Sequence, residues 1–299
     1  TPPTQGAMAA IIKKKKKIPF IYNLQDVFPD SLVGAGMTTE NSIVYKVGRK
    51  IEDFTYRNAD KIIVISEDIK NNIIHKGVPA EKIEIVPNWI DTRIVHPVKK
   101  EENYLFEKFD IPRDRFTVVY AGNLGYAQNI EVIIKAAEVL KQNREIQFVI
   151  FGKGAQEEEY KKKAEGLDNI KFFPIQPYSE VSYVYSLADA SIVPCKKGFG
   201  GSAMPSKTWS IMATGTPVLA SFDSGTEMER IVRNESVGLF SEADDYEALS
   251  INITTIYEDR ALKDNFGKNA RSYVERKLNR KVCTQKYIET ITETIKCQK

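Results

Sequence analysis

Hydrophobic and polar positions alternate along the chain in a regular order of short apolar runs and longer amphipathic segments. The short runs predict buried strands, and apolar residues spaced three or four apart predict helices. In the first part of the chain this pattern predicts a helix over 4–17, a strand over 19–24, a helix over 42–58, a strand over 61–65, a helix over 66–75 and a strand over 83–86. Alternation of this kind predicts parallel sheets covered on both faces by helices.

The polar stretch 95–114 predicts a linker and the entry to a second domain. Beyond it the pattern predicts strands over 118–121, 147–151, 170–173, 190–193 and 218–221, helices over 130–140, 157–165, 181–188, 205–214 and 226–233, and a mostly helical C-terminus. A chain of 299 residues also favours two domains. We therefore expect an α/β protein whose first domain covers 1–98 and whose second covers 99–275.

Composition narrows the class of protein without identifying it. A hydrophobic content of 42% is enough for packed cores, and a net charge of +3 does not indicate a nucleic-acid partner. The cysteines Cys195, Cys283 and Cys297 are odd in number and lack metal-binding spacing. This usage fits a reducing compartment and disfavours a disulfide or zinc framework, so we expect a cytoplasmic protein. Because the opening TPPTQGAMAAII lacks an initiator Met, we expect the chain to begin inside a larger protein.

The segment PSKTWSIMATGTPVLAS, residues 205–221, predicts a helix start, a short helix, a tight stop and a buried strand. Pro205 and Ser206 suit a first turn and its cap, and Gly215 suits a left-handed stop. A helix N-terminus beside the carboxyl ends of parallel strands is a natural phosphate site. Lys207 in that turn opposes the helix dipole, which favours a nearby anion; a solvated lysine on an ordinary crossover is the alternative.

A second segment, FTVVYAGNLGYAQN over 116–129, predicts a strand, a glycine turn and a helix. Glycines at such a turn let backbone N–H groups approach a diphosphate without an intervening Cβ. The spacing is not G-x-G-x-x-G, and no acidic residue follows at the distance that a dinucleotide fold requires, so NAD is disfavoured. An ordinary strand–helix turn is the alternative interpretation.

Seven segments in order resemble a known family: PFIYNLQDVFPD, YRNADKIIVIS, KGVPAEKIEIVPNWID, VVYAGNLGYAQN, VIFGKG, LADASIVP and PSKTWSIMATGTPV. Together they resemble the GT-B glycosyltransferases of the large retaining family four, and the AGNLG and PSK segments are similar to a branch that transfers deoxy-aminosugars in capsule and O-antigen assembly. The resemblance implies two Rossmann-like domains facing each other across a cleft. The second would hold the nucleotide sugar, and the helix over 276–299 would pack back toward the first.

The chain departs from this family in three places. The family's opening strand and glycine-rich turn are not seen before Thr1, so we expect an incomplete first domain. Gln25 stands where many members carry His, and Asp26 follows it. The family pattern also implies glutamates where Ser202 and Ser210 stand, and the second of these usually grips the ribose through a charge-assisted bond. These departures leave donor affinity and nucleotide choice open.

The resemblance implies transfer of a sugar from a nucleoside diphosphate, UDP or GDP, to a glycan or lipid-linked acceptor with retention. The sequence contains no Asp-x-Asp, so we expect a metal-independent reaction in which positive charge and N–H groups stabilise the departing diphosphate. The predicted catalytic residues are Lys207, Asp26 and Gln25, with Asp26 also readable as a turn residue. The predicted substrate-binding residues are Gly122, Asn123, Leu124, Gly125, Lys153, Pro177, Tyr178, Val181, Ser202, Pro205, Ser206 and Ser210.

The lysine run Lys13–Lys17 leaves two interpretations open. It predicts either a peripheral contact with anionic lipid at the inner face of the membrane or an ordinary solvated helix end. Two other functions also stay open. One is an inactive or partner-dependent nucleotide-sugar-binding subunit, which the two serines and the missing start favour. The other is a GT-B sugar epimerase, which we expect to show carboxylates and His crowding the cleft; the sequence shows no such cluster.

Overall fold

The structure is a computed structural model that describes residues 3–34, 36–202 and 204–296, without the side chains of Pro3 and Ser202. The chain forms two compact units, each with one parallel sheet. The first unit comprises Thr1–Asn88, Gly201–Met204 and Arg280–Lys299, and the second comprises Trp89–Gly200 and Pro205–Asn279. The domain boundaries expected after residues 98 and 275 stay predictions.

The first unit has a three-stranded sheet in the order β1-β2-β3, all parallel. Its strands are β1 (Ile21–Leu24), β2 (Lys61–Val64) and β3 (Ile83–Ile85), and its helices are α1 (Pro3–Lys16), α2 (Asp30–Gly34), α3 (Ile43–Asn58), α4 (Glu67–His75) and α13 (Arg280–Lys296). The helix predicted over 66–75 is capped by Ser66, whose Oγ accepts the Ile69 N–H at 3.2 Å. The predicted strands and helices of this part therefore lie close to the observed ones.

The second unit has a six-stranded parallel sheet in the order β6-β5-β4-β7-β8-β9. Its strands are β4 (Phe116–Asn123), β5 (Ile146–Lys153), β6 (Ile170–Phe173), β7 (Ala190–Pro194), β8 (Val218–Phe222) and β9 (Gly238–Glu242). Its helices are α5 (Leu105–Lys108), α6 (Glu131–Val139), α7 (Glu157–Lys163), α8 (Val181–Ser186), α9 (Lys207–Ala213), α10 (Glu227–Asn234), α11 (Tyr246–Glu258) and α12 (Arg260–Lys277). The first strand is central and the order reverses between β4 and β7, which is where ligands bind in doubly wound folds.

Strand β4, at the middle of the six-stranded sheet, shows why its sequence is a nearly continuous apolar run. Val118 and Tyr120 pack into the core on one face of the sheet. Val119 packs on the opposite face with Leu105 and Phe106 of α5. Both faces are thus covered, and a strand buried on both faces needs an unbroken apolar run instead of an alternating one.

The stretch 95–114 differs from the predicted linker. Leu105 and Phe106 are 0% and 2% exposed, and Val95 is fully buried. Asn103 anchors the segment, since its Nδ2 donates to the Tyr183 carbonyl at 2.7 Å. The polar residues around these anchors face outward, which is why composition alone suggested a linker.

Candidate functional site

A pocket of about 410 Å³ lies in the second unit at the carboxyl end of β4. Seven of the predicted site residues line it: Gly122, Pro177, Tyr178, Val181, Ser206, Lys207 and Ser210. They come from the end of β4, the segment between β6 and α8, and the start of α9. This placement agrees with the reversal of strand order, because the crevice at such a point opens beyond the carboxyl ends of the strands.

Lys207 supplies the positive charge of this pocket. Its Nζ donates to the Tyr120 hydroxyl at 3.0 Å and lies 4.2 Å from the centre of the Tyr120 ring. Within the described part of the chain no carboxylate forms an ion pair with it. Burial lowers the pKa of the Lys207 ammonium to about 8, since the surroundings replace water without supplying a negative charge. This environment differs from that of a solvated lysine, which was the alternative interpretation of Lys207.

Gly122 makes room for that ammonium. Its φ of +151° is a conformation that other residues rarely adopt, and a Cβ built on it would lie 2.5 Å from Lys207 Nζ. Tyr120 also holds the Lys207 ammonium. Its hydroxyl donates to the Asn123 carbonyl at 2.7 Å and so presents a lone pair to Lys207. Burial raises the pKa of the Tyr120 phenol, which keeps this hydroxyl neutral.

The predicted glycine turn is partly strand. Gly122 and Asn123 continue β4 and pair with Gly152 and Lys153 of β5. Leu124 is buried, and its N–H donates to the Lys153 carbonyl at 3.0 Å. The turn is therefore fixed against the end of β5 by backbone bonds.

Several predicted residues do not line the pocket in the second unit. Asn123 and Lys153 are exposed strand ends, and Leu124 is a core residue; Gly125 and Pro205 flank the lining positions. The side chain of Ser202 lies outside the described residues.

The start of α9 differs from the prediction in one respect. Ser206 occupies the position before the helix but its side chain makes no capping hydrogen bond, because its backbone is already helical (φ −60°, ψ −21°). The N–H groups of Thr208 and Trp209 donate to the carbonyls of Pro205 and Ser206. The first turn is thus closed on itself, which leaves the Lys207 side chain as the main positive group there. The predicted left-handed stop is confirmed at Gly215, whose φ is +70°.

Aromatic residues form much of the pocket wall, and the sequence did not indicate them as site residues. Trp89, Tyr185 and Trp209 line the pocket. Trp209 is 3% exposed, so by burial alone it resembles a core residue of α9. Tyr185 is fixed by its hydroxyl, which donates to the Ala121 carbonyl at 3.3 Å. Helical periodicity cannot distinguish a core residue from one that also faces a pocket.

Gln25 and Asp26 lie in the first unit, directly after β1. Gln25 Nε2 donates to Asn23 Oδ1 at 2.8 Å, and both amides interact with the Tyr287 hydroxyl. Asp26 is exposed. Their predicted catalytic role stays a prediction.

The two cysteines that the structure describes are buried and lie in different units, Cys195 in the second and Cys283 in the first. Cys297 lies outside the described residues. Ranges 3–34, 36–202 and 204–296 contain no group of three or more His, Cys, Asp or Glu that could hold a metal ion. No helix in the part of the chain that the structure describes is both long and apolar enough to span a membrane.

Each unit of the chain is an α/β unit with one parallel sheet, and the second has a pocket containing Lys207 where its strand order reverses. These features define the class of doubly wound nucleotide-binding folds. Sequence comparison gives the family. The family model described as "Glycosyl transferases group 1" matches residues 101–273, and the model "Glycosyltransferase Family 4" matches residues 1–94. The chain therefore belongs to the group 1 glycosyl transferases.

Two curated relatives are similar over most of this chain. A putative colanic acid biosynthesis glycosyl transferase, WcaI of Escherichia coli, is 28% identical over 277 residues, which cover 91% of this chain and 67% of that protein. A probable glycosyltransferase, WbjE of Pseudomonas aeruginosa, is 30% identical over 239 residues, covering 79% of this chain and 59% of that protein. The chain thus spans about three fifths to two thirds of these relatives.

Solved structures give the fold class, which is GT-B. The chain is similar to Anabaena HepE in complex with UDP, with a TM-score of 0.83, 16% identity, and coverage of 97% of this chain and 77% of that one. It is also similar to sucrose-phosphate synthase from Thermosynechococcus elongatus, with a TM-score of 0.78, 18% identity and coverage of 97% and 72%. The predicted α/β fold with parallel sheets is confirmed.

Proposed function

We propose that the pocket of the second unit binds the diphosphate of a nucleoside diphosphate sugar, UDP- or GDP-linked. We further propose that the whole protein transfers this sugar, with retention and without metal, to a glycan or lipid-linked acceptor. The observation that carries the proposal is the enclosed ammonium of Lys207, which has no carboxylate partner in the described chain. A charge held in this way is costly unless a ligand neutralises it, so the site favours an anion.

The chemistry needs little more than charge stabilisation. The bond between the anomeric carbon and the diphosphate oxygen breaks, and a bond to the acceptor oxygen forms on the same face. The acceptor hydroxyl proton passes to the departing diphosphate, so no separate base is required. Lys207 would neutralise negative charge as it develops on the leaving group, which is the type of stabilisation that often contributes most in catalysis.

The remaining lining residues fit the other parts of such a donor. Pro177, Tyr178 and Val181 form a rim of the pocket on which a nucleobase can stack, and Ser210 offers a neutral hydroxyl deeper in the wall. In the first unit, Gln25 and Asp26 are proposed to orient the acceptor. The protein in Anabaena whose fold is similar was solved in complex with UDP and with UDP-glucose, which supports a uridine donor.

Donor binding is expected to be independent of divalent metal. Calorimetric titration of the chain with UDP and GDP, in EDTA and then in excess Mg²⁺, should give the same affinity within about twofold, because Lys207 supplies the charge that a metal would otherwise supply. Strict dependence on Mg²⁺, or no binding of either nucleotide, would contradict the proposal. Lys207→Arg, titrated in the same way, is the matched control because it keeps the positive charge at this position.

We also propose that the end of α1 contacts anionic lipid, which suits a lipid-linked acceptor. Lys13 is occupied, since its Nζ pairs with Asp60 and donates to the Asn58 carbonyl. Lys15–Lys17 are exposed. Three apolar neighbours are also exposed, by 47–49%: Ile11, Ile12 and Ile18. Exposed lysines beside apolar side chains are the pattern of an interfacial contact.

Replacing Lys15, Lys16 and Lys17 together by Gln is expected to weaken binding to vesicles containing anionic lipid by roughly 100-fold, since each lysine near such a surface contributes about 1 kcal/mol. Co-sedimentation with vesicles of phosphatidylglycerol and phosphatidylcholine measures this. The same change at Lys161, Lys162 and Lys163 of the second unit is the charge-matched control; Lys161 and Lys163 form ion pairs with glutamates there. Equal losses in both variants would show that only net charge matters.

A further inference from the structure

The pocket that holds Lys207 contains no acidic side chain. Among the described residues that line it, none is Asp or Glu. Its polar lining consists of neutral groups and one cation, and the rest is aromatic or aliphatic. Building on the proposed function, we propose that this site does not read the ribose 2′-hydroxyl, and that it therefore accepts 2′-deoxyribonucleoside diphosphate sugars about as well as ribonucleoside ones.

Proteins reject a ligand that lacks a hydroxyl when the missing group leaves a buried polar partner unsatisfied. A carboxylate is the usual partner of a ribose hydroxyl in nucleotide-binding α/β folds. A pocket without a carboxylate has no charged acceptor that would be left without a hydrogen-bond partner. Loss of the 2′-hydroxyl therefore lowers the binding affinity little here.

The neutral groups of the pocket are poor substitutes for such a reader. The hydroxyl of Tyr185 already donates to the Ala121 carbonyl. The ammonium of Lys207 is held on the Tyr120 hydroxyl beside Gly122. Ser206 and Tyr178 are exposed, so water can replace any ribose hydroxyl that they would contact.

Gln176 also lines the pocket, but its Nε2 donates to the Pro174 carbonyl at 2.7 Å and its Oε1 accepts from Lys108 Nζ at 3.3 Å. Ser210 is therefore the remaining candidate within the wall. It is 7% exposed and lines the pocket next to Trp209. A hydrogen bond from a neutral hydroxyl is worth less than about tenfold in affinity, whereas one to a charged group is worth about 10- to 150-fold. Beside it, the apolar surface of Trp209 and Val184 accepts a CH₂ group without desolvating a polar atom.

The test compares UDP with 2′-dUDP by calorimetry on the whole chain. Both tryptophans of the sequence, Trp89 and Trp209, line this pocket, so quenching of intrinsic fluorescence verifies that each nucleotide binds there. We expect the two dissociation constants to agree within less than tenfold. A preference for UDP of tenfold or more would overturn the inference while leaving the proposed function intact. If neither nucleotide binds, GDP and 2′-dGDP are compared in the same way, and the same tenfold limit decides. If none of the four binds, the proposed function fails and this inference fails with it.

Ser210→Glu tests the inference by a gain of discrimination between UDP and 2′-dUDP. A carboxylate at this position should create a preference for UDP over 2′-dUDP of tenfold or more, because the deoxy analogue then strands a charged acceptor. Ser210→Ala, the matched control, should keep the ratio of the native chain. If Ser210→Glu folds and the ratio does not change, Ser210 is not next to the ribose, and its place as the candidate partner of the 2′-hydroxyl is overturned. If it does not fold, the ratio measured for the native chain still decides.

Discussion

Replacing Lys207 with Met is expected to weaken UDP binding about 10- to 150-fold, the range for losing a hydrogen bond to a charged group. Met keeps most of the apolar stem and removes only the charge that the pocket presents beside Gly122. The same change should raise the free energy of unfolding at neutral pH. A lower affinity combined with a higher stability is what distinguishes a functional charge from a structural one.

The sign of the stability change follows from the pKa of Lys207. Burial lowers this pKa to about 8 from its usual 10.5, so the folded chain holds the proton less tightly than the unfolded chain. The unfolded state binds more protons between these two values, so the folded state gains stability as the pH rises through that window. Below this window Lys207 is charged in both states, so the buried charge destabilises the folded state by its full amount. Removing the charge therefore raises the free energy of unfolding most at those pH values. The loss of the contact with the Tyr120 ring offsets part of the gain, so we expect on the order of 1 kcal/mol.

Denaturant unfolding and calorimetry on the same preparation measure both effects. Lys141→Met is the control, because Lys141 is exposed after α6 and does not line the pocket. It should change neither quantity. Unaltered UDP affinity in Lys207→Met would return Lys207 to an ordinary helix-start lysine.

The sequence predicted elements best where one local pattern decided them. The run Phe116–Ala121 indicated β4, and Ser66 indicated the start of α4. The continuation of β4 through Gly122 and Asn123 was not visible, because it depends on pairing with Gly152 and Lys153 of another strand. Strand β9 was missed for a similar reason. Its first residue, Gly238, has little strand propensity, and its place at the sheet edge comes from pairing with β8.

The site was predicted in part. Two motifs brought Gly122 and Lys207 to notice, and the structure places both at one pocket. The hydrogen bond that holds Lys207 could not be predicted, because its partner Tyr120 is far away in sequence and looks like an ordinary strand residue. The aromatic wall was missed because Trp89 and Trp209 come from different segments, and only the fold brings them together.

The affinity of the pocket for UDP is expected to fall about eightfold between pH values of about 7.5 and 9, since a site with a pKa near 8 is about three quarters protonated at the first and about one tenth at the second. Binding of a diphosphate favours the charged ammonium. Above this pKa the free site is mostly deprotonated, so it gains a proton when the nucleotide binds. The sign is fixed by this uptake: alkaline conditions weaken binding, and acidification below neutrality does not strengthen it further through this group.

Lys207→Arg separates this effect from ionisation of the nucleotide itself. The guanidinium stays charged throughout this range, so the variant should bind UDP with an affinity that is flat in pH apart from changes that the ligand contributes to both proteins. The ratio of the two affinities isolates the titration of Lys207. Calorimetry in two buffers of different ionisation enthalpy adds a direct count of protons taken up, which should rise from near zero toward one across the window. A ratio that does not change with pH would show that Lys207 is fully solvated or paired in solution, and that the diphosphate is held by other groups.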